Sequence, residues 1–557
     1  MQFRWNHTQG APDYDRETGF GFVTGAVYTA DAALHIPETN SGFLPLWWYA
    51  GTPISDIRQS EYGLQATAAE ALRTEDAADR RLPVWLRIQV PGEGVYRAEI
   101  TVTGTDGGEV LVFTGRRRLA WRGVLPAGAQ QIVTAYCDVF PIVPRGQADA
   151  VDSDAVNIAV VGGALSAVAL AEAPHTRRIW VCGDSTVTDQ TGELPYAPGT
   201  SYAGWGQMLP AYLPEVCITN HAHSGLTTES FLSEGHWAIV KPRLRAGDIC
   251  LFQFGHNDQK LAHLQARGGY TDRLRTYIKE TRTARAVPVL ITPLARNSWR
   301  DPTHYNDFLA DFADAVLDLG KEEAVPVLDL HAYAMQLIRQ EGLETAKRWF
   351  YPGDYTHTND FGAYRMAGFV AGALGKAVGL PVADVPAWTP APPFAPLTPP
   401  KDCALPAPDT DPFADYDATR PQEVLTRAEA LELAIKALKL FPINVYNDLY
   451  ADIVGHETYA GTVQCAAQND LIPAAWIADG RLYPQRTVTA ADFLAVLMPG
   501  AAGRRPLAAP SPLPDSVPAY ARFAAGQAVA EQLISADSLN DPITRSDAAA
   551  LCRRLHI

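Results

Sequence analysis

The chain has 557 residues, which at roughly 100–200 residues per domain predicts about three domains. Apolar residues make up 47% and charged residues 19%, enough to bury substantial cores, while 46 Lys+Arg against 62 Asp+Glu give a net charge of −16 that lends a polyanion-binding role no electrostatic support and argues against a nucleic-acid-binding protein. Seven scattered cysteines with no CxxC pair predict neither a disulfide framework nor a thiolate zinc site.

The first residues, Met1 to His7, lack a basic region followed by an apolar core, so no secretory signal is visible and the predicted location is the cytoplasm. The alternative is an exported, wall-attached enzyme whose leader has been removed. The longest uncharged stretch, Ala155 to Ala171, is too short for a membrane span, is interrupted by Gly162-Gly163, and reads as two strands and a turn. Through residue 172 the apolar period is two. Val84, Leu86, Ile88 and Val90 alternate with Trp85, Arg87 and Gln89, a Pro91–Gly94 turn follows, and Tyr96, Ala98, Ile100 and Val102 resume the pattern. Residues 1–172 are therefore expected to form a β-sandwich. Within it, Arg116-Arg117-Arg118 reads as a solvated loop, and Leu44–Tyr49 as core or an interdomain seam, with a sugar-stacking platform as the rarer reading.

From residue 177 the rhythm becomes strand, helix, strand. Short apolar runs at Ile179–Cys182, Val216–Thr219, Ile249–Phe254, Val287–Ile291 and Val325–Leu328 alternate with amphipathic stretches such as Thr271–Arg285 and Tyr305–Leu319. That predicts a doubly wound α/β domain over 177–385 with a parallel sheet covered on both faces. Residues 386–412 hold ten prolines in 27 positions and read as an extended linker. Beyond it a phrase recurs at Thr426-Arg427-Ala428-Glu429, Thr489-Ala490-Ala491-Asp492 and Thr544-Arg545-Ser546-Asp547, each a Thr three residues before an acid as in a capping box. Residues 413–557 are thus expected to hold three helical repeats.

The chemistry-bearing clusters follow the carboxyl ends of the predicted strands: Gly183-Asp184-Ser185, Asn220–Gly225, Gly255-His256-Asn257-Asp258 and Asp354–His357. A serine hydroxyl is a poor nucleophile at neutral pH and needs an imidazole to take its proton. His357 is the candidate base, with Asp354 three residues earlier to hold its other ring nitrogen. The backbone N–H groups of Ser185 and Gly225 and the side-chain amide of Asn257 are the candidate donors for a tetrahedral oxyanion. Trp205 and Trp299 are read as bordering the substrate, and His221, His223, His236 and His256 as pocket lining or satisfied loop histidines rather than a metal site.

In these ordered blocks the chain resembles the SGNH (GDSL-type) hydrolases. Gly183–Val187, Gly204-Trp205-Gly206-Gln207, Glu234-Gly235-His236-Trp237, Phe254–Asp258 and Asp354–His357 are similar to rhamnogalacturonan acetylesterases and their bacterial pectin and xylan deacetylase relatives. The resemblance implies a flavodoxin-like sheet, a Ser185–His357–Asp354 triad and an oxyanion hole of Ser185, Gly225 and Asn257. The reading that follows is removal of O-acetyl groups from a plant cell-wall glycan; the serine route supplies its own nucleophile and needs no cofactor, and Trp205, His236, His256 and Trp299 are the candidate residues beside the substrate. His236 stands where these enzymes usually carry Arg. The N-terminal part resembles a galactose-binding-like domain. Residues 413–557 resemble S-layer homology repeats, in which Arg427 and Arg545 would meet an anionic wall polymer; self-association is the other partner expected there. The alternatives are a general short-chain or lipid esterase, and a non-catalytic glycan-binding protein on an esterase scaffold.

Overall fold

The computed structural model describes residues 1–15, 17–23, 27–28, 34–35, 55–68, 82–143, 149–150, 152–190, 192, 196–261, 263–301, 304–390, 411–438, 440, 450–453, 457–502 and 505–555. The run Leu44–Tyr49 and the centre of the proline-rich stretch lie outside the described residues.

The described residues between 2 and 172 form two large antiparallel sheets and a short pairing of Val27–Tyr28 with Leu34–His35. In one, Gly94–Thr103 lies between Gln130–Val139 and Ala164–Glu172, and the last also pairs with Gln2–Asn6 and with Gly63–Ala68. In the other, Ala155–Val161 lies between Glu109–Thr114 and Val84–Gln89. Alternate residues of both sheets, among them Leu86, Ile88, Ile100, Val112, Ile158 and Leu165, meet in one buried core. The opposite positions of Val84–Gln89 are buried as well, with Trp85 at 0% and Arg87 at 1% exposure. The alternation seen in the sequence thus separates two packed faces rather than a core face from a solvent face. Trp85, Phe113, Leu119 and Ala159 on the second face belong to the same apolar cluster as Val181, Tyr196 and Trp205 of the following region.

That region carries a five-stranded parallel sheet in the order Cys217–Asn220, Arg178–Gly183, Ile249–Gln253, Val287–Ile291, Val327–Leu328. Ile179, Trp180, Val181 and Cys182 are all 0% exposed, as expected for a strand covered on both sides. The first strand sits between the second and third, so the crevice between Gly183 and Gln253 opens at the point where strand order reverses, the usual ligand position in such sheets. The helix expected at Tyr305–Leu319 begins later, at Ala310, because Tyr305 is taken into a short antiparallel pairing with Trp299. After the helix Asp360–Val378 the chain stays docked past the expected boundary at 385. Trp388 is 5% exposed against Phe361 and Tyr364, and Arg122 donates to the carbonyl of Pro386 at 2.9 Å.

The C-terminal unit has its own helical core, built on residues such as Leu431, Leu494 and Leu551. Each repeated phrase caps a helix: Thr426 with Glu429, Thr489 with Asp492 and Thr544 with Asp547. The residues just before the three threonines close a ring of backbone hydrogen bonds, Leu425 N–H to Ile543 O (2.9 Å), Val488 N–H to Leu425 O (3.0 Å) and Ile543 N–H to Val488 O (3.3 Å). Arg427 and Arg545 are not displayed to solvent. Arg427 donates to the carbonyls of Trp476 and Leu482 at 2.7 and 2.6 Å, and Arg545 pairs with Glu429 and lies over the Tyr416 ring. Among the described residues no helix is long and apolar enough to cross a membrane.

Candidate active site

Asp184-Ser185-Thr186 turns sharply off the first strand, with the N–H groups of Val187 and Thr188 both bonded to the Asp184 carbonyl at 3.1 Å. The Asp184 carboxylate steadies the turn by accepting from Thr186 N–H (2.9 Å) and Oγ1 (2.7 Å). Ser185 Oγ then lies 2.7 Å from His357 Nε2, and His357 Nδ1 lies 2.8 Å from Asp354 Oδ2. The other oxygen of Asp354 accepts the N–H groups of Thr356 (2.6 Å) and His357 (2.9 Å). A spacing of three residues lets a short carboxylate reach its own downstream amides and the imidazole together, the geometry of an Asx turn. Burial acts to raise the Asp354 carboxyl, but the hydrogen bond and charge of His357 and the two backbone donors outweigh it and hold the group below its ordinary value. A carboxylate facing Nδ1 keeps the proton there and leaves Nε2 as the acceptor for the serine hydroxyl.

The candidate oxyanion donors lie on neighbouring loops. Neither Ser185 N–H nor Gly225 N–H is bonded within the described residues. Gly225 is held at φ +87°, a left-handed conformation that costs glycine little. Asn257 Nδ2 donates to the carbonyl of Leu226, the residue after Gly225, at 3.0 Å, which fixes the amide group and ties the two loops together. In this arrangement His357 can draw the proton from Ser185 as its oxygen attacks an acyl carbon, and the resulting imidazolium is stabilised by Asp354. Collapse returns that proton to the departing alcohol, and water then repeats the cycle on the acyl-serine.

A second Asp–His pair lies beneath the first. His256 Nδ1 is 3.1 Å from Asp184 Oδ2 and its Nε2 is 2.9 Å from the Leu294 carbonyl, so both ring nitrogens are occupied. At 2% exposure, it supports the Asp184 turn rather than facing substrate. The other residues expected beside the substrate are likewise interior. Trp205 is 1% exposed with its indole N–H on Gln253 Oε1, Trp299 is 5% exposed with its N–H on Asn297, and His236 is 2% exposed and stacked on Phe231. Burial first, with the charges of His223 and Arg116, pushes His236 down to about 3. Aromatic and imidazole groups at a predicted rim are equally good core residues when the interior offers them an acceptor. Among the described residues no group of three or more His, Cys, Asp or Glu side chains has metal-holding geometry.

Several residues around the site escaped the sequence reading. Gln190 Nε2 donates to the Ser185 carbonyl at 2.7 Å. Tyr202 sets its edge on His357, ring centres 5.7 Å apart, and stacks on Tyr351 at 3.6 Å. Arg117, read as solvated, is 0% exposed and bonds Asp360 at 2.6 Å. The Gly204–Gln207 block was the available signal: Gln207 Nε2 bonds the carbonyls of both Arg116 and Gln190 at 3.1 Å.

Residues 181–365 match the GDSL-like lipase/acylhydrolase family. Rhamnogalacturonan acetylesterase RhgT of Bacillus subtilis (strain 168) is 33% identical over 222 residues, covering 37% of this chain and 93% of that protein. The probable rhamnogalacturonan acetylesterase YesY of the same organism is 33% identical over 215 residues, covering 37% of this chain and 95% of that protein. The crystal structure of the Bacillus subtilis protein YxiM aligns with 68% of this chain and 99% of its own at 20% identity and a TM-score of 0.36. A third of the residues shared along almost the full length of the first two relatives settles the affiliation: the chain belongs to the GDSL-like lipase/acylhydrolase family and is a carboxylic-ester hydrolase.

Proposed function

We propose that the enzyme removes O-acetyl groups from a plant cell-wall polysaccharide or its oligosaccharides, of the pectin/rhamnogalacturonan or xylan type, through an acetyl-serine intermediate. The observation that carries the reading is the continuous Ser185–His357–Asp354 hydrogen-bond chain beside two unclaimed backbone N–H groups. The half-buried Tyr202–Tyr351 pair, with Tyr202 packed on the His357 ring, offers a sugar an apolar border beside the base. The rhamnogalacturonan part of the reading rests on what the two Bacillus subtilis relatives are named for. Acetate release from acetylated rhamnogalacturonan, homogalacturonan, xylan and mannan tests it. Release from one of the first three, lost in Ser185→Ala, supports the reading; turnover unchanged in Ser185→Ala would remove its basis.

A further inference from the structure

The tip of the hairpin joining Glu109–Thr114 to Arg118–Val124 places three consecutive arginines against the esterase sheet. Gly115 and Arg117 both take left-handed φ values, +53° and +58°, to make the turn. Arg117 is the unusual one, because a long side chain at positive φ costs backbone energy that is retained only where the surroundings over-determine it. Its surroundings do so. The guanidinium donates to Asp360 Oδ1 (2.6 Å), to the Gln190 carbonyl (3.3 Å) and to the Tyr202 carbonyl, three acceptors on three different segments.

Each of those segments leads to the reacting groups in one step. Gln190 bonds the Ser185 carbonyl, so the nucleophile's own peptide is one residue away from Arg117. Tyr202 leans on the His357 ring, and its backbone bridges to Asn359, two residues after the base. Asp360 opens the helix that follows His357 directly, and its Oδ2 also holds the N–H of Gly199 at 2.9 Å. A planar fork with donors in fixed directions can hold three such acceptors at once, which an ammonium on a flexible stem cannot.

We propose that Arg117, supplied by the N-terminal two-sheet region, is a positioning residue for both Ser185 and His357, so that this region is part of the catalytic apparatus rather than an appended module. The inference rests on the serine-esterase reading above but not on which glycan is the substrate. The two neighbours support the same seam. Arg116 donates to the carbonyl of Asn220, the last residue of the strand Cys217–Asn220, at 2.7 Å, and Arg118 bonds Asp189 Oδ2, on the loop after the first strand, at 2.8 Å.

The test uses the full chain and two variants. Arg117→Lys keeps the charge opposite Asp360 but gives up the fork; Gln190→Met keeps the shape and removes only the donor to Ser185. Turnover of p-nitrophenyl acetate, labelling of Ser185 by a fluorophosphonate read by mass spectrometry, and thermal melting are measured for both. The expected result is a melting temperature near that of the parent with kcat and labelling rate down about 10- to 100-fold for Arg117→Lys and several-fold for Gln190→Met, KM changing less than about twofold, as for a loss of alignment rather than of binding. A purely structural arginine would lower the melting temperature in Arg117→Lys while the folded protein kept parental kcat and labelling rate. If Arg117→Lys folds with parental kcat and labelling, the proposal is overturned; if it does not fold, parental kcat and labelling in Gln190→Met overturn it. Absence of acetate release from glycans alongside intact ester turnover and labelling would instead count against the substrate assignment alone.

Discussion

Replacing Asp354 by Asn separates the charge of the site from its shape. Asp354 Oδ1 accepts two backbone N–H groups at 2.6 and 2.9 Å, whereas Oδ2 accepts only the imidazole Nδ1–H at 2.8 Å. An amide must choose which oxygen position its NH2 occupies. Turning the NH2 toward the backbone would forgo two hydrogen bonds of about 1 kcal/mol each and oppose two donors with a donor, so the preference for keeping the carbonyl there is at least about 2 kcal/mol, or roughly 30-fold. The NH2 then faces His357 Nδ1, which must become an acceptor, and the ring proton moves to Nε2, where it points at Ser185 and blocks its role as base. Together with the lost anion, the expected fall in kcat is about 10⁴-fold. Asp354→Ala leaves the tautomer free but loses both backbone bonds. The two variants should therefore rank oppositely: Asn more stable than Ala by about 2 kcal/mol in urea unfolding, yet no more active on p-nitrophenyl acetate. An Asn variant retaining a tenth of parental turnover, or one clearly more active than Ala, would refute the tautomer argument.

Asn257→Ala is expected to lower kcat on the order of 10²–10³-fold with little change in melting temperature, as for the loss of one oxyanion donor; an unchanged kcat would remove Asn257 from the site. His331 lies between the Pro293 carbonyl (3.0 Å) and Asp307 Oδ2 (2.8 Å). Burial acts to lower its pKa, but the Asp307 bond and charge prevail and raise it. Its stabilisation is thus full below the unfolded value near 6.5 and fades as pH rises through the higher folded value, so the melting-temperature gap between parent and His331→Gln should narrow from pH 6 to pH 9, and a widening gap would contradict the assignment. Arg545→Ala should destabilise the C-terminal unit by about 2 kcal/mol through loss of its Glu429 and Thr419 bonds, with ester turnover unchanged; calorimetry and the p-nitrophenyl acetate assay read the two effects separately.

What was legible in the sequence is what is determined locally. Strand runs such as Ile249–Phe254 show themselves because a strand covered on both faces must be apolar at every position. The Asp354–His357 pair is legible for the same reason, since three residues of spacing contain the whole carboxylate–imidazole geometry. The three capping phrases also carry their structure within four residues, but the ring of hydrogen bonds among Leu425, Val488 and Ile543 joins positions more than fifty residues apart and has no local trace.

The arginine triplet was misread because most of its partners lie far along the chain. A run of three arginines is ordinarily a solvated surface, because one buried guanidinium without a counter-charge is prohibitively costly. Here each charge is met. Arg116 pairs with Asp189 at 3.2 Å, Arg117 with Asp360 at 2.6 Å, and Arg118 with both Asp138 and Asp189. The side chains of Asp189 and Asp360 are themselves 0% exposed, so neither side of the pairing would be tolerated alone. An aspartate 71 residues away and another 243 residues away decide whether the triplet faces water or the core, and no window of sequence around it contains either. The same reasoning separates the two Asp–His pairs near Ser185. Both pair an imidazole with a carboxylate, but His256 has a second acceptor in the distant Leu294 carbonyl, whereas the second nitrogen of His357 has the serine, and that one difference decides which histidine can take a proton from it.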